Sequence, residues 1–167
     1  MNAREIYSAL KRDRCTRDRF VGVFAADNLP AEKEFPGGYI VNTDPSSKPG
    51  QHWIAFYCYD GCMECFDSSG ADPQVYHPNI ADWVKRGGFR IKQKEILQSQ
   101  NTTVCGQYCM LFILCRCNNI SYEDFMSMFS KNKNFNDKLV CKTVNKYFHL
   151  ATTVRDTDFL LSKLFKQ

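Results

Sequence analysis

Cys105, His52, Asp67 and Gln98 are the residues of this sequence whose types and spacing could carry out nucleophilic acyl transfer. That chemistry needs a thiolate to attack a carbonyl, an imidazole to manage protons, a carboxylate to fix the ring's tautomer, and donors to hold the oxyanion. His52 opens a β-rich run, residues 52–59, joined through Asp60-Gly61 to a second run, residues 62–67. The dipeptide suits the positive φ angles of a two-residue hairpin. With that turn Tyr59 pairs with Cys62, which sets His52 opposite Ser69 and Ile54 opposite Asp67. The imidazole and the carboxylate then share a face as diagonal neighbours within bridging reach. A single bulge would spoil the register.

The same face carries Ile54, Phe56, Cys58, Met63 and Cys65, an apolar surface that needs a cover. Residues 104–117 are apolar on nearly every side, as in a helix at the centre of a fold, and this helix is the expected cover. Asn101, Thr102 and Thr103 are its cap candidates, which puts Cys105 in the first turn, where the helix dipole favours a thiolate. The Cys105 backbone N–H and the Gln98 side-chain amide are the candidate oxyanion donors. Gly106 keeps the backbone beside the nucleophile uncrowded, and Trp53 packs next to the histidine and influences its ring.

Other elements must position these groups. Ile6, Tyr7 and Leu10 after Asn2 predict an N-terminal helix that packs on the outside. Residues 20–24 and 39–42 predict strands, 44–50 a loop, 79–85 a helix, and 90–98 a strand leading to Gln98. Ser121 with Asp124 predicts a helix start before residues 125–129. Asn136-Asp137 precedes Leu139, Val140, Val144 and Phe148 at helical spacing, and a last short helix is expected over 158–166.

At 167 residues the chain reads as a single domain, 1–167, large enough to bury a core. Arg4, Lys11, Arg12, Arg14, Arg17 and Arg19 interrupt any secretory apolar run, and no stretch is long enough to cross a bilayer, so the protein is expected not to be secreted or membrane-bound. Nine cysteines is an odd count, which in this context argues for reduced thiols. Cys58, Cys62 and Cys65 on the hairpin, with Cys115 and Cys117 on the helix, do not close a tetrahedral site because no second CxxC follows, so no metal is expected. Cys109 reads as packed, or as a redox partner for Cys105. His77 and His149 read as surface or packing residues. The net charge is +4, and the bases clustered over 11–19, 85–94 and 131–146 permit weak DNA contact.

The runs Ile40-Val41-Asn42-Thr43, His52-Trp53-Ile54-Ala55-Phe56, Phe66-Asp67-Ser68-Ser69-Gly70, and Gln98 through Cys105-Gly106-Gln107-Tyr108-Cys109 resemble, in order and spacing, the adenovirus protease family, adenain. The resemblance covers residues 3–117. It implies an α+β, papain-like fold with a central buried helix on a mainly antiparallel sheet, and a cysteine endopeptidase that cuts at small, glycine-containing motifs in viral precursor proteins. The family's His, acidic residue, Gln and Cys fall on His52, Asp67, Gln98 and Cys105. Adenain uses glutamate as its acid. Aspartate is the choice of the related ubiquitin-like-protein proteases and of proteases from adenain-bearing DNA transposons and small DNA viruses, which points to such an element or virus as the source.

A monomer acting on polypeptide substrates in the virion and the host nucleus or cytoplasm is expected on that basis. The family is activated by a viral peptide, linked by a disulfide upstream of the glutamine, and by DNA. Residues 83–97 hold no cysteine, so a covalent peptide link is not expected, and no cofactor is required for the chemistry itself. The alternatives are a deubiquitinating or SUMO-removing protease with the same apparatus, a catalytically dead binding module, and a basic DNA-packaging protein.

Overall fold

Asp60 and Gly61 both adopt left-handed backbone conformations, with φ of 46° and 70°, and the hairpin they close organises the middle of the molecule. The computed structural model describes the backbone of residues 1–91 and 94–150, and the side chains of all of these except 89–91. Its first two strands are β1 (Phe20–Phe24) and β2 (Gly37–Asn42), followed by the hairpin strands β3 (Trp53–Tyr59) and β4 (Cys62–Phe66). Tyr59 pairs with Cys62, Cys58 with Met63, Tyr57 with Glu64, Phe56 with Cys65 and Ala55 with Phe66, the register that a two-residue turn dictates.

With β5 (Phe89–Ile91) these strands form a five-stranded sheet in the order β1-β2-β3-β4-β5. The inner pairs, β2 with β3 and β3 with β4, are antiparallel, while the outer pairs are parallel. The sheet is therefore antiparallel at its centre and parallel at both edges. The strand expected over 90–98 is shorter than its sequence suggests. Residues 94–98 leave the sheet because they are committed to the turn after β4: the Leu97 and Gln98 N–H groups both donate to the Ser68 carbonyl, at 2.9 and 3.0 Å.

Alternation along β3 and β4 divides the core into two layers. Ile54, Phe56, Cys58, Met63 and Cys65 face the helix α2 (Pro78–Lys85), whose Ile80, Trp83 and Val84 cover them. Trp83 stands edge-on to Tyr39 and Phe56, with centroids 5.4 and 5.2 Å away, and donates its indole N–H to the Pro30 carbonyl at 2.8 Å.

The long apolar helix, α3 (Cys105–Cys117), lies on the opposite face against Ile40, Ala55, Tyr57 and Phe66. This corrects the expectation that it covers the Ile54 face. Both faces of the hairpin are apolar, so hydrophobicity alone does not choose between them. On the α3 side Arg116 lies 2.8 Å from the buried Glu64 carboxylate, beneath the rings of Tyr57 and Tyr59 at 5.2 and 5.0 Å, and donates to the Ile120 carbonyl.

The N-terminal helix α1 (Ala3–Arg12) and the later α4 (Tyr122–Ser127) and α5 (Lys133–Tyr147) complete the α3 layer. A capping box starts α1, in which Asn2 accepts from the Glu5 N–H and Glu5 accepts from the Asn2 N–H. Ser121 caps α4 as its sequence predicts. Asn132 caps α5, so Asn136 and Asp137, expected ahead of this helix, lie inside it and are buried. The helix expected over 158–166 lies outside the described residues. Among those described, no helix is long and apolar enough to cross a membrane.

Gly70 closes the turn after β4 with φ +72°, and a Cβ there would stand 2.9 Å from the Glu95 carbonyl oxygen and 3.0 Å from that of Lys94. A Gly70→Ala variant should lose at least the ~1–2 kcal/mol of the left-handed conformation. A urea midpoint equal to that of the parent would contradict this close approach.

Candidate active site

The β3–β4 ladder ends at Ala55 and Phe66, and beyond that rung the two chains are no longer paired. Asp67 enters a turn in which its side chain accepts from the Ser69 N–H at 2.7 Å and the Ser69 hydroxyl at 2.8 Å. Its second oxygen accepts from the Tyr76 hydroxyl at 2.6 Å. Across the gap, His52 Nε2 lies 2.7 Å from Asp67 Oδ1. The carboxylate is 3% exposed and the imidazole 19%, so the pair is shielded but reachable from one side. The two side chains come from the α2 face of the hairpin, and Cys105 from the first turn of α3 on the other face, so the site straddles the end of the sheet.

The Cys105 thiol, 6% exposed, sits beside the His52 ring and the backbone N–H groups of Trp53 and Gly106, all of which favour its ionised form. Because Nε2 faces Asp67, Nδ1 is the ring nitrogen left for the sulfur. The N-cap of α3 is Val104, and no side chain caps it. The cap candidates Asn101, Thr102 and Thr103 are thus corrected: Thr102 directs its hydroxyl to Ser99 and Asp137 instead. Without a side-chain cap, the first N–H groups of the helix remain free to hold an anion.

These surroundings shift the titrating groups together. Burial alone would raise the Cys105 pKa, but the hydrogen bond and charge of His52 and the two backbone N–H groups outweigh it, and the thiol sits below its ordinary value. Burial would lower the His52 pKa, yet the bonds to Asp67 and Cys105 hold it up at about 9. Asp67 is likewise opposed by burial and held below the ordinary carboxylate range by His52, Tyr76 and Ser69. Thiolate and imidazolium are the favoured pair, the state a cysteine nucleophile requires. The other buried thiols move oppositely: burial pushes Cys58 and Cys117 up to about 12 and raises Cys65, Cys109 and Cys115 strongly.

Gln98 belongs to the same structure through Ser68, the residue after Asp67. Its Oε1 accepts from the Ser68 hydroxyl and its Nε2 donates to the Thr102 carbonyl, both at 2.7 Å. One amide hydrogen is left for a ligand.

A scan against protein-family models finds no match for the chain. Among curated proteins it is similar to a cysteine protease of African swine fever virus, Tick/Malawi isolate, at 30% identity over 103 aligned residues, which cover 54% of this chain and 37% of that protein. A protein named SUMO-1 cysteine protease, from the Warthog/Namibia isolate of the same virus, is 29% identical over the same shares of each chain. The chain thus spans little more than a third of the length of the relatives it matches. The α+β arrangement, with helices on both faces of the sheet, is consistent with a papain-like, adenain-like fold.

His52, Asp67 and Cys105 converge, and Gln98 is tied beside them. Trp53 contributes through its backbone: its N–H favours the ionised Cys105 sulfur, and its carbonyl accepts from the Cys109 thiol at 3.3 Å. That contact, together with full burial, makes Cys109 a packed thiol. A Cβ on Gly106 would meet Ile6 and Trp53 at 3.4 Å, an ordinary contact, so the glycine is less essential for space than its position suggests. Tyr76 and the uncapped start of α3 were not read from the sequence; a tyrosine nine residues past the aspartate carries no local signal of where it folds back. His77, expected at the surface or in packing, accepts from the Asn79 N–H and caps α2. Among the described residues, no group of three or more His, Cys, Asp or Glu side chains could hold a metal ion.

Both shifts widen the range in which thiolate and imidazolium coexist. The thiolate extends below the ordinary thiol value of 9.0, and the imidazolium persists from 6.5 up to about 9. The His52 contribution to folding is complete below 6.5 and is lost as pH rises through about 9. That of Asp67 is present above 3.8 and is lost on acidification. Iodoacetamide at about pH 6 should therefore label Cys105 well before Cys58, Cys65, Cys109, Cys115 and Cys117. His52→Ala should remove that preference, and equal labelling of all six thiols in the parent would rule out an activated Cys105.

Proposed function

We propose that the chain is a cysteine endopeptidase that hydrolyses peptide bonds through a thioester acyl-enzyme. The observation that carries this reading is the Cys105 thiol at the uncapped start of α3, beside an imidazole whose Nε2 lies 2.7 Å from a buried, multiply bonded carboxylate. Cys105 attacks the substrate carbonyl. His52 gives its proton to the leaving amine, then takes one from the water that cleaves the thioester. Asp67 keeps Nε2 protonated and the ring oriented. The oxyanion is held by the Cys105 backbone N–H and the free amide hydrogen of Gln98.

The substrates we propose are viral capsid or core precursors cut at small, glycine-containing motifs by a monomer, within the virion and the infected cell. The order of His52, Asp67, Gln98 and Cys105 and the similarity to viral cysteine proteases support this adenain-like reading. A second reading, removal of ubiquitin-like proteins, is favoured by the name SUMO-1 cysteine protease that several of the relatives carry. Activation by a viral peptide or by DNA belongs to the proposal as well, with the basic clusters as its support.

A Gly-Gly-containing peptide and a SUMO fusion, each offered with and without DNA, test these readings by the product released. Cleavage of the peptide alone supports the endopeptidase, and cleavage of the fusion alone supports the second reading. Cys105→Ala should abolish turnover, and Asp67→Asn should lower kcat by on the order of a hundredfold or more with little change in KM. Unchanged turnover by Cys105→Ala would refute the mechanism.

A further inference from the structure

Beyond the residues just assigned, α5 sends one carboxylate into the segment that joins Gln98 to Cys105. Asp137 is 5% exposed and lies 38 residues from Ser99. Its Oδ2 accepts from the Ser99 N–H at 3.2 Å and lies 2.9 Å from the Thr102 hydroxyl. Its Oδ1 accepts from the Tyr108 hydroxyl at 3.0 Å. The neighbouring Asn136 donates to the Leu97 carbonyl at 3.4 Å and to that of Ser130 at 2.8 Å. One carboxylate thus grips the segment on both sides of the helix start: Ser99 and Thr102 before it, and Tyr108 on the first turn of α3.

The grip matters because of what Thr102 does with its carbonyl, which accepts one Nε2 hydrogen of Gln98 at 2.7 Å while Ser68 holds the amide oxygen. Those two bonds fix the amide plane, and the plane fixes where the second hydrogen points. A carboxamide released at one end could rotate about its last torsion, which is broad and soft.

We propose that Asp137 is a positioning residue for the reaction: it holds Thr102 so that the Gln98 amide keeps one hydrogen aimed at the oxyanion. This rests on the hydrolytic reading of the site. His52 and Asp67 are not among its partners, so the inference separates two halves of the machinery, with the thiolate–imidazolium pair set by the hairpin and the oxyanion donor set by α5.

The test is a double-mutant cycle with two readouts, peptide hydrolysis and iodoacetamide alkylation of Cys105. Asp137→Asn has the same shape but loses the charge and one accepting end, since its NH2 must face either the Tyr108 hydroxyl or the Ser99 N–H and Thr102 hydroxyl. It should lower kcat by roughly tenfold, less than the ~100-fold or more of losing an oxyanion donor outright, with KM and the alkylation rate unchanged. In a Gln98→Ala background the same substitution should cost nothing further. Thr102→Val, which deletes one contact and leaves the carboxylate its other partners, should move kcat in the same direction and serves if Asp137→Asn folds poorly.

An Asp137→Asn effect that persists undiminished without Gln98, or that lowers alkylation in step with hydrolysis, would overturn the inference while leaving the protease reading intact. A parent chain that hydrolyses neither substrate would overturn both.

Discussion

The register of one hairpin is the constraint on which the rest of the site depends. Two left-handed residues, Asp60 and Gly61, fix Tyr59 against Cys62, and every later rung follows. A slip of one residue would send Asp67 to the α3 face and leave its carboxylate among apolar side chains, where an unpaired charge is costly. Because the register holds, the carboxylate emerges beyond the last rung on the same side as His52, where backbone and hydroxyl donors can satisfy it before it touches the ring.

The sheet and the central helix solve different parts of one electrostatic problem. The hairpin supplies a basic imidazole by giving it a buried anionic partner. The helix supplies a sulfur whose neighbours include free backbone N–H groups. Neither element alone would favour the charged state, since burial opposes ionisation of Cys105, His52 and Asp67 alike. Meeting at the end of the sheet, they offset that penalty for one another. Thiols buried deeper in either layer of the core, such as Cys65 and Cys109, have no such neighbours, and burial raises their pKa.

Much of this was legible in the sequence because it is encoded locally. Asp60-Gly61 announces its turn, Asn2 and Ser121 announce their helices, and the distance from turn to histidine and aspartate fixes a shared face by counting. What was missed depends on information that counting cannot supply. Residues 53–59 are apolar on both faces, so which helix takes which face is decided by the three-dimensional connections. Asn136 and Asp137 look like helix-start residues because their side chains commonly cap; here tertiary hydrogen bonds to Leu97, Ser99 and Thr102 use those same atoms inside the helix. The strand expected up to Gln98 ends early for a similar reason, since the Leu97 and Gln98 N–H groups are taken by Ser68.

The Arg116–Glu64 pair beneath Tyr57 and Tyr59 has a consequence for how this sequence can drift. Losing either partner alone takes a buried ion away from this counter-ion, which is costly, whereas trading both for apolar residues of similar volume can be neutral. The two positions are therefore joined in their evolutionary fate: neutral change must pass through a destabilised intermediate or occur at both sites together. In an alignment of close relatives they should covary, one on a strand and the other at the far end of the helix that carries the nucleophile.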